Sequence, residues 1–184
     1  TGSMTFIKKL TASSSATLSF VDGTSDVVLD DTYKEYLFTF INMHPATDNV
    51  NFTFQGNAAG GSGYNETITS TWFVAYQNEA GSATSLEYNT GNDLAQGTSF
   101  NILQDACGND NDHSLAGYLH LFNPSSTTFV KHWVARCNRS HQADYTGDAF
   151  AAGYFNTTSA IDEIQFKFSS GNVDAGDICL YGIA

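Results

Sequence analysis

Charged side chains are scarce in this sequence, and basic ones are the scarcest. Asp, Glu, Lys and Arg make up 14% of the 184 residues, against about 25% in an average soluble protein. Only 7 residues are Lys or Arg, and the formal net charge is −12. Such a chain repels phosphate backbones and anionic lipids. The composition therefore argues against binding to nucleic acid and against adsorption to acidic membranes.

Long apolar runs are missing as well. No stretch approaches the ~20 apolar residues of a membrane-spanning helix. The segment TFIKKLTASSSATLSF after Met4 lacks the apolar core of about 7–15 residues that a secretory signal peptide needs. Residues 1–3 are typical of an expression-tag remnant, so we expect the natural chain to begin at Met4. We also expect no signal peptide, no membrane insertion and folding in a cytoplasm.

Recognisable catalytic and zinc motifs are absent too. The sequence has three cysteines, and neither a C-x-x-C pair nor a Cys/His group at zinc spacing. Free thiols are therefore expected. No G-x-S-x-G, phosphate-binding loop or dinucleotide fingerprint occurs, and we expect no enzymatic activity. A glycosidase or lyase remains an alternative, for which carboxylates near Glu35 or Glu163 would have to face a shared cleft.

Alternation of apolar and polar residues with a period of two is the dominant pattern that is present. The cleanest runs are YKEYLFTFINMH, VNFTFQG, TITSTWFVAYQ, GYLHLFN, TFVKHWVARC, EIQFKFS and DICLYGI. Turn residues separate them, and no sustained helical period occurs. The pattern predicts one all-β domain over residues 4–184, an antiparallel two-sheet β-sandwich of jelly-roll type with about ten strands. Residues 163–169 and 177–183 are expected to be neighbouring strands of it.

Two groups of residues are candidates for binding. The loop DACGNDNDH places Asp105, Asp110 and Asp112 close together, and its oxygen ligands would suit Ca²⁺. Solvated turn residues explain the same loop more simply, because Asp and Asn are turn formers, so no cofactor is expected. Aromatic side chains are abundant, with 14 Phe, 9 Tyr and 2 Trp. The second group is a surface platform for sugars or a protein partner, with four candidate members: Trp72, Tyr76, Trp133 and Tyr145.

Three segments resemble small β-rich structural proteins of tailed phages, those of marine and cyanobacterial viruses above all. They are DDTYKEYLFTFINMHPATDNVNFTFQGN, AGYLHLFNPSSTTFVKHWVAR and AAGYFNTTSAIDEIQFKFSSGNVDAGDICLYGI. The resemblance implies a virion component, either part of a tail fibre or spike or a capsid-decoration protein. It implies assembly in the host cytoplasm and contacts with other virion proteins. It supplies no catalytic residue.

We therefore expect a non-enzymatic virion protein that forms a homo-oligomer, with a trimer favoured, and that contributes to attachment to host surface polysaccharide. The main alternative is a stand-alone carbohydrate-binding β-sandwich. The two differ in their aromatic residues, because a sugar module displays exposed rings, whereas an architectural protein buries its rings or places them at subunit contacts.

Overall fold

The computed structural model of the protein describes residues 3–141 and 143–184, and its regular structure consists of β-strands. No helix occurs among these residues, and so none that could cross a bilayer. The twelve strands are β1 (Met4–Thr11), β2 (Leu18–Val21), β3 (Glu35–Pro45), β4 (Val50–Ala58), β5 (Ile68–Asn78), β6 (Thr84–Tyr88), β7 (Asn101–Cys107), β8 (Leu115–Phe122), β9 (Lys131–His141), β10 (Tyr145–Phe155), β11 (Ile161–Phe168) and β12 (Val173–Ile183). The all-β prediction is confirmed, with twelve strands in place of about ten.

The alternating sequence pattern accounts for the strands. In β9, Trp133, Ala135 and Cys137 are buried, whereas the intervening Val134 and Arg136 are exposed. Successive side chains of a strand point to opposite faces, so one face packs against the core while the other meets solvent. All strand pairs are antiparallel, as the pattern predicts.

The strands form one hydrogen-bonded sheet that folds over on itself in a nearly closed, barrel-like course. We call β1-β12-β3-β8-β9-β10-β5-β6 the eight-strand part and β7-β4-β11-β2 the four-strand part. They join where Cys107 of β7 pairs with His141 of β9. In addition, an isolated antiparallel bridge joins Ile68 of β5 to Gly97 in the loop before β7. Two separate sheets are therefore not confirmed, because β7 links the two parts.

Aromatic side chains fill the space between the two parts. The ring of Phe166 in β11 lies 5.3 Å from that of Phe38 and 5.2 Å from that of Phe40, both in β3. Phe54 in β4 meets Trp133 in β9 edge-to-face at 4.9 Å. Full burial of such a side chain stabilises the fold by about 1.5–3 kcal/mol, so these contacts hold the four-strand part on the eight-strand part.

Strands β11 and β12 do not pair with each other, contrary to the expectation for residues 163–169 and 177–183. β11 lies between β4 and β2, whereas β12 lies between β1 and β3. The chain crosses from one part to the other in the turn between them, where Gly171 has a φ of 70°. Glycine adopts this left-handed conformation without steric cost.

The outer side of the four-strand part is covered by loops that Gln55 holds in place. Gln55 is fully buried, and its Nε2 donates to the carbonyl oxygens of Glu66 and Ser99 at 3.0 Å each and of Thr98 at 3.3 Å. Its Oε1 accepts from the amide of Gly56 at 2.8 Å. One amide side chain thus ties the loop after β4 and the loop before β7 to the sheet.

Candidate functional site

A row of large side chains crosses the outer face of the eight-strand part, the face turned away from the core. Tyr118 of β8 lies opposite Arg136 of β9, which lies opposite Phe150 of β10. Phe150 lies opposite Phe73 of β5, which in turn lies opposite Tyr88 of β6. The row arises because cross-strand neighbours on one face of a sheet stand side by side. We call these five residues the outer aromatic row.

Stacking and one ion pair fix the middle of this row. The rings of Phe73 and Phe150 stack with centroids 4.9 Å apart and an interplanar angle of 3°. The guanidinium carbon of Arg136 lies 4.8 Å from the centroid of Phe150. Arg136 also donates to Asp148, from Nη2 at 2.7 Å and from Nε at 3.0 Å. These hydrogen bonds raise the pKa of Arg136, and the ion pair makes the middle of the row locally neutral.

The outer aromatic row is open to solvent. Tyr88 is 52% exposed, and Phe73 and Tyr118 are each 39% exposed. Leu86 and Val134, beside the row on the same face, are 73% and 44% exposed. Aromatic residues and arginine are the types enriched at the centres of protein interfaces. The face can therefore make a broad apolar contact with a flat partner.

A second feature lies on the inner face of the same strands, at their ends near residues 76, 139 and 145. Tyr76, Arg139, His141 and Tyr145 line a pocket of about 200 Å³, which we call the tyrosine pocket. Tyr76 and Arg139 both lie opposite Gly147 of β10. A Cβ atom at Gly147 would lie 3.1 Å from Cζ of Arg139. The glycine therefore gives the guanidinium room to lie against β10.

Aromatic contacts hold the rings of the tyrosine pocket. The centroids of Tyr76 and Tyr145 are 5.7 Å apart at an interplanar angle of 73°, and those of His141 and Tyr145 are 5.6 Å apart at 69°. A hydrogen bond to Glu87 raises the pKa of Tyr76. The pocket thus presents two phenol rings at a steep angle to each other, with polar groups beside them.

Arg139 is the charged group of the tyrosine pocket, and it is only 6% exposed. Its Nη1 donates to the backbone oxygen of Asp105 at 2.6 Å and to the Asp105 carboxylate. Burial lowers the pKa of Arg139 to about 10, so it stays charged at neutral pH. Burial and the Arg139 charge lower the pKa of His141. His141 is therefore neutral at pH 7.

The predicted aromatic platform is only partly present. Tyr76 and Tyr145 come together in the tyrosine pocket. The prediction that Trp72 and Trp133 lie on the surface is wrong, because they are 0% and 1% exposed and belong to the core. Both lie on the inward phase of their strands, with Trp133 packed against Phe54. They cannot form an exposed surface with the two tyrosines.

The predicted calcium residues do not converge. The Asp105 carboxylate is engaged by Arg139, and Asn92 donates to it from Nδ2 at 3.1 Å. The backbone oxygen of Asp110 lies 3.2 Å from Nε2 of His44, and Asp112 is exposed beside it. Within residues 3–141 and 143–184, no group of three or more His, Cys, Asp or Glu side chains is arranged to hold a metal ion.

Sequence reasoning missed Phe73, Phe150 and Arg136 as surface residues. Phenylalanine is most often a core residue, so residue type alone points the wrong way for Phe73. The alternation contained a signal, because Phe73 follows Trp72 directly and two successive strand residues cannot both face inward. Arg136 likewise lies between the small, inward-facing Ala135 and Cys137.

The two glutamates of the glycosidase alternative occupy separate surroundings. Oε2 of Glu35 lies 2.9 Å from Nε2 of His120. Oε2 of Glu163 accepts from the hydroxyl of Tyr64 at 2.8 Å. Glu35 belongs to β3 of the eight-strand part and Glu163 to β11 of the four-strand part. Each carboxylate thus has its own partner, His120 in β8 for Glu35 and Tyr64 in the loop after β4 for Glu163.

The chain was also compared with known proteins. No protein-family model, no curated protein and no solved structure matches it significantly.

Proposed function

We propose that the protein is a non-enzymatic structural protein of a tailed-phage virion that associates with copies of itself through the outer aromatic row. The observation that carries the association is the stacked pair of exposed Phe73 and half-buried Phe150, with Arg136 beside it. The virion assignment depends on the resemblance of the three sequence segments to phage structural proteins. That resemblance fits two positions in the virion, either a tail fibre or spike or the decoration of the capsid.

Charge favours a second copy of this chain as the partner at the row. The net charge of −12 makes most faces of two copies repel each other. At the row, Arg136 and Asp148 neutralise each other at 2.7 Å, and the neighbouring groups are rings and aliphatic side chains. Two copies can therefore approach there with the least repulsion while burying apolar surface.

The fold suits such a role. We propose that the eight-strand and four-strand parts act as the two layers of a jelly-roll-like sandwich, a rigid body that presents the outer face without moving. The same proposal includes a trimer as the assembled form, contacts with other virion proteins and assembly in the host cytoplasm.

Light scattering coupled to size exclusion tests the association. At high micromolar concentration we expect a mass of three times the 19.9 kDa of one chain. The double variant Phe73→Ser and Phe150→Ser should be monomeric. Phe129→Ser is the matched control, because Phe129 is 69% exposed but lies outside the strands. A strictly monomeric wild-type protein, or a double variant that still assembles, would refute the proposal.

Attachment to host surface polysaccharide is the second proposed role, and the tyrosine pocket is the observation that favours it. Tyrosine rings and convergent polar groups in a small concave site are typical of sugar recognition. A stand-alone carbohydrate-binding module would use the same pocket. A virion protein would combine it with the assembly through the outer aromatic row.

A further inference from the structure

We propose that the tyrosine pocket binds a single uncharged sugar residue of a polysaccharide. This inference deepens the attachment role proposed above and rests on it. The four side chains that line the pocket, Tyr76, Arg139, His141 and Tyr145, supply the stacking surface and the hydrogen bonds that a sugar ring requires.

The size of the pocket limits the ligand. Sites for larger organic ligands occupy about 300–1,000 Å³, whereas this pocket has about 200 Å³. One pyranose or furanose ring matches that volume. The rest of a polysaccharide chain would lie outside it, on the adjoining surface formed by the ends of β5, β9 and β10.

The two tyrosine rings suit the two kinds of surface on a sugar. A sugar ring has an apolar face of C–H groups and a rim of hydroxyl groups. Tyr76 and Tyr145 meet at 73°, so a sugar stacked on one phenol ring turns its rim towards the other. Exposed aromatic rings with a polar tip serve this purpose well, because they bind one face and hydrogen-bond at the edge.

Arg139 supplies a fixed hydrogen-bond donor. Its bonds to Asp105 use Nη1, and no acceptor among the described residues bonds to its Nε or Nη2. Because the guanidinium is buried and held against Gly147, it loses little side-chain entropy when a ligand binds. Donors held in place before binding give a higher affinity than mobile ones.

His141 supplies a second donor, and its tautomer is set by the backbone. Its Nδ1 accepts from the amide of Ala143 at 3.0 Å. A neutral imidazole that accepts at Nδ1 carries its proton on Nε2. Nε2 can therefore donate to a sugar hydroxyl. The Tyr145 hydroxyl can both donate and accept, whereas the Tyr76 hydroxyl donates to Glu87 and can accept from the sugar.

The charges around the pocket select an uncharged ligand. Asp105 neutralises Arg139. The Glu87 carboxylate raises the pKa of Tyr76, and the negative charge of Asp48 partly offsets the lowering of the His141 pKa. Glu87 and Asp48 are thus two further negative charges near the pocket. The surroundings are thus net negative on a chain that already carries −12. A uronic acid or another anionic sugar would be repelled, whereas a neutral hexose or pentose would not.

Saturation-transfer NMR with methyl glycosides tests the inference. Neutral glucosides, galactosides, mannosides and xylosides are the probes, and glucuronate is the charged comparison. We expect transfer to at least one neutral glycoside, with a dissociation constant on the order of 1 mM for a single ring, and none to glucuronate. Tyr145→Ala should weaken binding at least about tenfold, equivalent to ~1.4 kcal/mol.

The control variant is Tyr154→Ala, which removes a half-buried tyrosine from the outer face of the same strand. It should bind like the wild type. Tyr145→Phe keeps the aromatic ring and serves as a control in case Tyr145→Ala fails to fold. It should bind the glycoside more tightly than Tyr145→Ala. Absence of transfer to all neutral glycosides, equal binding by Tyr145→Ala, or a preference for glucuronate would overturn the inference.

Light scattering on the same samples separates this inference from the proposed assembly. A trimer that binds no glycoside would reject the sugar site and leave the structural role intact. A monomer that binds a glycoside through Tyr145 would support the sugar site and reject assembly through the outer aromatic row.

Discussion

Gln55→Met removes the amide that ties two loops to the four-strand part while keeping a side chain of similar length. Two N–H groups are shared among the carbonyl oxygens of Glu66, Thr98 and Ser99, at 3.0, 3.3 and 3.0 Å. Each hydrogen bond has a net value of about 1 kcal/mol, and a buried polar group left without a partner costs about 1–3 kcal/mol. Methionine recovers part of this through apolar burial. We therefore expect a loss of about 2–4 kcal/mol in the free energy of unfolding.

Urea unfolding followed by tryptophan fluorescence measures this loss, because both tryptophans are buried in the core. For a domain of this size, 3 kcal/mol corresponds to a decrease in Tm of about 6–12 °C. Gln77→Met is the control, since Gln77 lies exposed on β5, and it should change stability by less than about 0.5 kcal/mol. If Gln55→Met were as stable as this control, the argument that Gln55 anchors the loops would be refuted.

Two further predictions concern buried reactive groups. Lys131 is fully buried, with its Nζ donating to the carbonyl oxygens of Phe129 at 2.8 Å and Thr157 at 3.0 Å, and burial lowers its pKa from 10.5. The unfolded chain therefore binds this proton more tightly, so the contribution of Lys131 to stability rises with pH from the lowered folded pKa up to about 10.5. Urea unfolding measured between about pH 8 and pH 10 should show a smaller rise in the free energy of unfolding for Lys131→Met than for the wild type. If that free energy rose equally with pH in both proteins, the lowered pKa of Lys131 would be contradicted. Cys107, Cys137 and Cys179 are free and buried, as predicted for free thiols, and burial raises the pKa of Cys107 and Cys137. A chromogenic disulfide reagent should leave all three unmodified in the folded protein and modify all three in denaturant, whereas rapid labelling of the folded protein would show that the core is open.

The sequence predicted the strands well because each strand carries its own alternation. In β11, Ile164, Phe166 and Phe168 share one phase, so the inward face of residues 163–169 can be assigned without a structure. In β5 both phases are aromatic around Trp72 and Phe73. There the period still predicts a strand, but residue type cannot tell which ring is buried.

The order of the strands could not be predicted in the same way. Pairing depends on contacts between residues far apart in the chain, such as Cys107 with His141, and local patterns contain no information on them. The tyrosine pocket depends on that order, because Tyr76 and Arg139 meet only through the register of Gly147 with both neighbours. Sequence alone therefore suggested both tyrosines of the pocket, but neither Arg139 nor His141.

The position of β12 between β1 and β3 affects how the chain folds during its synthesis on the ribosome. β1 is synthesised first, yet its pairing partner is the strand synthesised last of the twelve. The edge of β3 that β12 occupies also remains open during translation. Segments with unpaired edges are prone to pair with other chains, so nascent copies that stand close together on one messenger RNA are at risk of exchanging their first strands.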